Sequence, residues 1–330
     1  MKTRWIILAV ALQVLVLLFM AGEREWIVRA GRVIFLRTAP VDPRDAFRGD
    51  YVQLDYEISH VSPALLRDGL AGVTNTDSSR KEQKVYAVLR EENGLAQLEF
   101  LTDRQPAGGL YLRGFLRHVW NWNDRAQIRY GLEAFFVEQK QGLELEAARR
   151  QGDIRIPLEM EVAVGRGGKS VLKGYRWSPL GIGLKIQTDT NNRPLSATVI
   201  LCNVSSNALA IVDRPGNRSL FLEPDSIRSW TDNEWNWVHA AAPDSSIKDA
   251  HVVLLAPQAK HEMQVDLTAA DWYIVKKDEP PRPVAEAGMG VFFRLVYRPP
   301  SAEACAGLEH ADAIWHGELP SSAFGSQRID

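Results

Sequence analysis

The sequence of 330 residues predicts a mainly β protein, in which an N-terminal transmembrane helix precedes a β-rich domain and a C-terminal β-sandwich, immunoglobulin-like in the loose sense. Three observations favour this fold class. A long apolar run opens the chain, β-branched and alternating runs follow it, and turn residues separate many short apolar runs after about residue 177. Hydrophobic residues make up 45% and charged residues 24%, a composition that excludes global disorder.

The apolar run extends from Trp5 to Gly22, and only Gln13 interrupts it. As a helix this run spans about 27 Å, close to the hydrocarbon thickness of a bilayer. Both a cleaved signal peptide and a retained anchor have this length. Cleavage requires small residues at the −3 and −1 positions, but Phe19 and Met20 occupy −3 in the two candidate windows. A retained anchor over residues 5–22 is therefore favoured.

Two basic residues, Lys2 and Arg4, precede the apolar run. The positive-inside rule keeps the tail at residues 1–4 cytoplasmic and places residues 23–330 outside. No later run approaches the length of the first. We therefore expect a single-pass protein of the inner (cytoplasmic) membrane with its bulk in the periplasm.

The β-rich part divides near Trp177 into a domain over residues 23–177 and the sandwich over residues 178–330. Within the first domain, residues 51–58 alternate in polarity. We expect residues 51–58 to form a single strand. Its apolar set, which we expect to face the core of the domain, consists of Val52, Leu54, Tyr56 and Ile58.

The charge and cysteine content excludes several functional classes. The formal net charge of −2 provides no basic excess, so we expect no nucleic-acid partner. The two cysteines, Cys202 and Cys305, are too few for a disulfide scaffold or a cysteine-rich metal site. In an oxidising compartment they could form one disulfide, or both could be free buried thiols; the sequence leaves the two alternatives open.

Residues 163–170 nearly match a phosphate-binding loop, with Ala163 where the first glycine usually stands. A helix must follow such a loop, but residues 170–175 are β-type, so a hairpin turn is favoured and no nucleotide is expected. His261 lacks a second histidine four residues later, which favours a structural histidine. We find no motif typical of a catalytic site, and we expect no catalytic residue, cofactor or metal.

Two Trp-Asn-Trp triplets, at residues 120–122 and 235–237, place pairs of indoles on one strand face. Packing is favoured over ligand stacking. Five acidic residues lie within one short stretch, where arginines stand among them, so turn capping and ion pairing are favoured over calcium binding. These acids are Asp42, Asp45, Asp50, Asp55 and Glu57.

The string from Gly49 to Tyr56, Gly-Asp-Tyr-Val-Gln-Leu-Asp-Tyr, resembles the bacterial GDYXXLXY family, which is named for this pattern. A second matching stretch runs from Tyr130 to Glu138. The resemblance covers roughly residues 1–177. One departure is the Glu-Gln-Lys-Gln turn at residues 138–141, where a Pro-Glu-Gly type of turn is common in the family.

The resemblance implies a membrane-anchored protein without an established activity. The interpretation is a non-enzymatic binding or assembly module of the cell envelope, attached by its own anchor and binding another envelope or membrane protein. The alternative is an envelope hydrolase with an unrecognised site, or a degenerate signal-peptidase-like barrel. The tentative binding residues belong to the first motif and its neighbour: Gly49, Asp50, Tyr51, Asp55, Tyr56 and Glu57.

Overall fold

The computed structural model describes residues 2–38, 51–61, 65–71, 82–92, 94–119, 126–136, 150–224, 235–239, 247–269, 272–276, 280, 282–286 and 291–325. These residues form a mostly β structure with one long N-terminal helix and several antiparallel sheets, which confirms the predicted fold class. The structure divides into two compact units. Unit 1 contains the helix and most strands before residue 177, and unit 2 contains the remaining strands.

The N-terminal helix α1 extends over Lys2–Ala30, so it contains the predicted span and continues eight residues beyond Gly22. Between Arg4 and Ala30 it is long and apolar enough to cross a membrane, with a mean hydropathy of 2.5 in a window of which 0% is buried. Its large apolar side chains are exposed, for example Trp5 at 68% and Phe19 at 70%. A signal sequence shares these features, so the helix is a candidate membrane span.

The strands in chain order are β1 Arg32–Arg37, β2 Tyr51–Gln53, β3 His60–Val61, β4 Lys84–Glu92, β5 Leu95–Thr102, β6 Leu110–Val119, β7 Ala126–Arg129, β8 Ala134–Phe136, β9 Arg150–Gln151, β10 Ile154–Arg155, β11 Leu158–Val164, β12 Ser170–Trp177, β13 Leu180–Thr188, β14 Pro194–Asn203, β15 Leu209–Val212, β16 Leu220–Pro224, β17 Trp235–His239, β18 Val252–Leu255, β19 Lys260–Asp266, β20 Trp272–Lys276, β21 Arg282–Pro283, β22 Phe292–Tyr297, β23 Leu319–Pro320 and β24 Phe324–Gly325. A short helix, α2, covers Ala302–Cys305.

Among the described residues, unit 1 contains three sheets. Their strand orders are β1-β11-β12, β2-β8 and β3-β7-β6-β4-β5. The alternation of apolar side chains in β1 and β11 is visible as burial: Ile34, Leu36, Met160 and Val162 are all at most 1% exposed. The core of this unit therefore follows from period-two patterning.

Unit 1 also buries a charged pair. Arg37 of β1 lies opposite Glu159 of β11 and both side chains are buried, with 3.8 Å between Arg37 Nη2 and Glu159 Oε1. The other oxygen of Glu159 accepts a hydrogen bond at 2.6 Å from Nε of Arg176. The guanidinium of Arg176 also lies 3.6 Å from the ring centre of Phe35. One buried carboxylate therefore contacts two arginines, of which Arg37 is buried and Arg176 is 44% exposed.

Unit 2 is built from the sheets β19-β14-β13-β10-β9, β15-β18, β17-β20-β21 and β16-β22-β23, with β24 also paired to β22. Apolar side chains of β13, β14 and β19 share one core with those of β16 and β22. Examples are Ile182, Val199 and Met263 on one side, and Leu222 and Leu295 on the other. Apolar faces of separate antiparallel sheets sharing a core are typical of a sandwich.

Candidate functional site

The two sequence motifs, separated by more than seventy residues, meet in the structure. Strand β2 of the first motif pairs antiparallel with β8 of the second, so that Val52 lies opposite Phe135. Directly after β2, the backbone N–H of Leu54 donates to the carbonyl of Glu133 at 2.8 Å. Main-chain hydrogen bonds therefore join the two motifs into one substructure of unit 1.

Two buried tyrosines strengthen this junction in opposite directions. The hydroxyl of Tyr56 donates to the carbonyl of Leu132 at 2.8 Å, and that of Tyr130 donates to the carbonyl of Ile58 at 2.9 Å. Tyr56 is 0% exposed and Tyr130 is 6% exposed. We call these two reciprocal hydrogen bonds the tyrosine clamp. The phenol of Tyr56 satisfies a main-chain carbonyl of the second motif, and that of Tyr130 satisfies one just after the first motif.

The environment of the clamp keeps both phenols protonated. Burial, with the nearby Glu133 carboxylate as a second cause, raises the pKa of Tyr56 and of Tyr130 well above the usual value. The carboxylate of Glu133 itself accepts a hydrogen bond at 2.5 Å from the backbone N–H of Tyr130. The phenols are therefore structural donors, because the phenolate form is disfavoured at this site.

The structure corrects the prediction of one strand over residues 51–58. Strand β2 ends at Gln53, Tyr56 makes an isolated bridge to Thr38, and Glu57–Ser59 form a 3₁₀ turn. The cause is local, because Oδ1 of Asp55 accepts a hydrogen bond at 3.0 Å from the N–H of Tyr56 and competes with a continued ladder. The three described side chains of the apolar set nevertheless face the core as predicted, with Leu54 3%, Tyr56 0% and Ile58 6% exposed.

A carboxylate and an imidazole pair beside the clamp. Oδ2 of Asp55 lies 2.6 Å from Nε2 of His60, and the two side chains are 25% and 20% exposed. Glu57 is exposed on the intervening turn. Sequence reasoning missed His60, because the predicted continuous strand over residues 51–58 gave no sign of the turn that brings His60 to Asp55. Asp55, Glu57 and His60 thus form the accessible polar face of the junction, which we call the acidic turn.

The predicted site residues divide into four groups. Gly49 and Asp50 lie outside the described residues, and Tyr51 lies in β2. Glu57 is exposed and Asp55 is partly exposed, whereas Tyr56 is buried and serves the clamp. Of the five acids considered for calcium or capping, the structure describes only the last two. Asp55 contacts His60, whereas the arginines of the favoured interpretation, Arg44 and Arg48, lie outside the described residues.

Two of the other motifs take structural roles. Residues 165–169 form the turn of the β11–β12 hairpin, closed by a hydrogen bond of 2.8 Å from Gly165 N–H to Lys169 O, which confirms the hairpin. Nε2 of His261 lies 2.8 Å from Oδ2 of Asp213, as a structural histidine would. The first Trp-Asn-Trp triplet lies outside the described residues, and the second lies in β17.

Both cysteines are free and buried, so the disulfide alternative is wrong. Cys202 packs with Ile154 and Ile200, whereas Cys305 packs in a separate cluster with Val212 and Ile314. Burial raises the pKa of each thiol. The two positions serve as small apolar core residues.

Comparison with protein families gives one finding. The model of a family described as "GDYXXLXY protein" matches residues 13–174 and so confirms the resemblance. The match begins inside α1 and ends in β12, and it includes both motifs that meet at the clamp. Neither a curated protein nor a solved structure matches the chain.

Proposed function

The chain carries a GDYXXLXY family domain over residues 13–174, and from that premise we propose that it is a single-pass protein of the bacterial cell envelope whose β-rich part binds another envelope component without catalysing a reaction. The observation that carries this proposal is the uncovered apolar helix. A helix whose apolar side chains are exposed all around requires a nonpolar solvent, and a bilayer supplies it. Lys2 and Arg4 orient the bulk of the chain to the periplasm.

The attachment of α1 to unit 1 supports a retained anchor. Ile27 is 6% exposed and packs on Gly165, where a Cβ atom would lie 2.7 Å from Ile27 Cγ1. Glu23 forms an ion pair with Lys169 of the same hairpin turn. A signal peptide cleaved near Gly22 would separate the apolar run from a helix end that the folded unit holds.

The binding face is the acidic turn. Glu57 is exposed and the side chain of Asp55 is 25% exposed, and the tyrosine clamp fixes the backbone that carries them. A fixed backbone reduces the entropy that binding must overcome. We therefore expect a partner surface with basic or hydrogen-bond-donating side chains, on a periplasmic or membrane protein.

The geometry favours binding over the hydrolase alternative. Asp55 and His60 form a pair that could orient a general base, but a nucleophile must then lie within hydrogen-bond reach of the imidazole. The neighbouring Ser59 is 2% exposed, and its hydroxyl has no hydrogen-bond partner. His60 therefore does not activate Ser59.

Topology is tested first. A periplasm-active reporter fused after Asp330 should be active, and a cytoplasm-active reporter inactive. Intact mass and N-terminal sequencing of the membrane fraction should show a chain that still contains residues 1–22. A mature N-terminus at Gly22 or Glu23 contradicts the anchor but leaves export in place.

Binding is tested by site-specific photocrosslinking in membranes, with the crosslinking residue at position 57 and, as a control, at the exposed Glu99 of β5. We expect a discrete adduct from position 57 only. Asp55→Ala and Glu57→Ala should reduce recovery of that adduct partner severalfold, while Glu99→Ala should not. Equal adducts from both positions, or unchanged recovery by all three variants, would reject the acidic turn as the binding face.

A further inference from the structure

We propose that unit 1 binds the phosphate group of an anionic phospholipid in a cationic depression beside the point where α1 leaves the membrane. This inference rests on the membrane span proposed above. The depression has a volume of about 270 Å³ and is lined by Arg32, Arg166, Tyr111 and the backbone of two glycine-containing turns. A phosphate headgroup matches this lining in charge, and arginine is well suited to phosphate recognition.

The attachment of the hairpin to α1 sets the depth of the depression. Glu23 is the first residue after the apolar run, and it forms its ion pair with Lys169, just after the tip of the β11–β12 hairpin. Gly165, just before the tip, packs on Ile27. With a rise of 1.5 Å per residue, Glu23 lies about 6 Å nearer the apolar run than Ile27. The base of the hairpin turn therefore lies beside residues 23–27 of α1, the first helical turn after the apolar run.

Exposed arginines surround the depression and the adjoining end of α1. Arg24 and Arg166 are exposed, and neither forms an ion pair within the part of the chain that the structure describes. Arg32 pairs with Glu91 but keeps 58% of its side chain exposed. Trp26, 72% exposed between these charges, has the amphipathic character of residues that lie at membrane interfaces.

Glycines leave the depression open to a ligand. A Cβ atom built on Gly108, Gly109 or Gly167 would meet no atom within 4 Å. Gly168, by contrast, packs against Tyr111 and Arg113 of β6, where a Cβ atom would come within 2.8 Å, so it fixes the hairpin tip against the sheet. The turn that nearly matches a phosphate-binding loop in sequence is therefore one open wall of a cationic pocket.

The test uses the full chain in nanodiscs that contain equal amounts of phosphatidylglycerol and phosphatidylcholine. After gentle release, native mass spectrometry measures the ratio of the two lipids that stay bound. We expect enrichment of phosphatidylglycerol, reduced about fivefold by Arg166→Gln and again by Arg32→Gln, since each basic residue near a membrane surface contributes about 1 kcal/mol. Arg90→Gln, which removes an exposed paired arginine from β4 of the same unit, should leave the ratio unchanged.

Three further measurements on the same nanodiscs test the site. Raising the salt to about 0.5 M should lower the enrichment in the unmodified chain, because screening weakens exposed charges. Equal enrichment in all variants would overturn the site. Inorganic phosphate should lower the enrichment more than chloride of equal ionic strength, because it competes for the same site; equal effects of the two salts would overturn phosphate recognition. The measurement uses the intact chain in a bilayer, so cleavage of the anchor in cells would refute the proposed function separately.

Discussion

Removing one hydroxyl from the tyrosine clamp should destabilise unit 1 without altering its apolar packing. Tyr56→Phe deletes the hydrogen bond of 2.8 Å to the carbonyl of Leu132 and keeps the ring. Because Tyr56 is 0% exposed, water cannot easily replace the lost donor. A buried group left without its partner costs about 1–3 kcal/mol. At about 2–4 °C per kcal/mol, a loss of about 2 kcal/mol lowers the melting temperature by about 4–8 °C.

The assay is thermal unfolding of the full chain in micelles, combined with hydrogen exchange to assign the change to unit 1. Exchange should accelerate in residues 54–61 and 130–134, the segments that the clamp joins. Tyr86→Phe is the matched control. Tyr86 is also buried in unit 1, at 7% exposed, and its hydroxyl has no hydrogen-bond partner in the part of the chain described, so we expect almost no change.

The reciprocal variant adds a second constraint. Tyr130→Phe removes the hydrogen bond of 2.9 Å to Ile58 and should cost a similar amount. If the clamp acts as one unit, the double variant costs less than the sum of the single changes. The reasoning is refuted if Tyr56→Phe and Tyr86→Phe melt at the same temperature, or if faster exchange appears only outside the two joined segments.

Three further predictions address pH, buried charge and thiols. The clamp tyrosines have pKa values raised above their ordinary value near 10, so their stabilisation is full below pH 10 and is lost above it, by about 1.4 kcal/mol per pH unit for each. The melting temperature should therefore fall above pH 10 in the unmodified chain and fall less steeply in the Tyr56→Phe/Tyr130→Phe double variant. An equally steep fall in both would contradict this. Glu159→Gln leaves the buried charge of Arg37 uncompensated and should cost about 3–5 kcal/mol, whereas Glu161→Gln in a half-buried pair should cost about 1 kcal/mol or less; equal melting temperatures would refute the difference. Cys202 and Cys305 should resist thiol reagents in the native chain and both react in denaturant without reductant, while failure to label after unfolding would restore the disulfide.

The clamp explains why the two motif stretches can be recognised together. The first stretch supplies a strand and a buried phenol, and the second supplies the partner strand and the carbonyl that accepts from it. Without the other stretch, the buried phenol of each would lack its hydrogen-bond acceptor, and an unpaired buried polar group is costly. The signature is therefore the two halves of one structural junction, and its accessible acidic turn lies on that fixed base.

The sequence by itself determined what depends on local pattern. A continuous apolar run specifies a helix that fits a bilayer, the glycines and β-type residues of 163–175 specify a hairpin, and period-two alternation specifies that Leu54, Tyr56 and Ile58 face the core. These features need only a few neighbouring residues, because side-chain direction follows from the period of the backbone.

Only the tertiary structure decided contacts between distant residues. The partner of Tyr56 lies 76 positions away, Glu159 meets Arg37 across two strands, and the cysteines lie in separate clusters. It also decided where β2 stops, since Asp55 captures the N–H of Tyr56 and turns toward His60. Pattern encodes which face of a segment is buried, but the specific partner in the core is set by how the sheets assemble, and no local period carries that information.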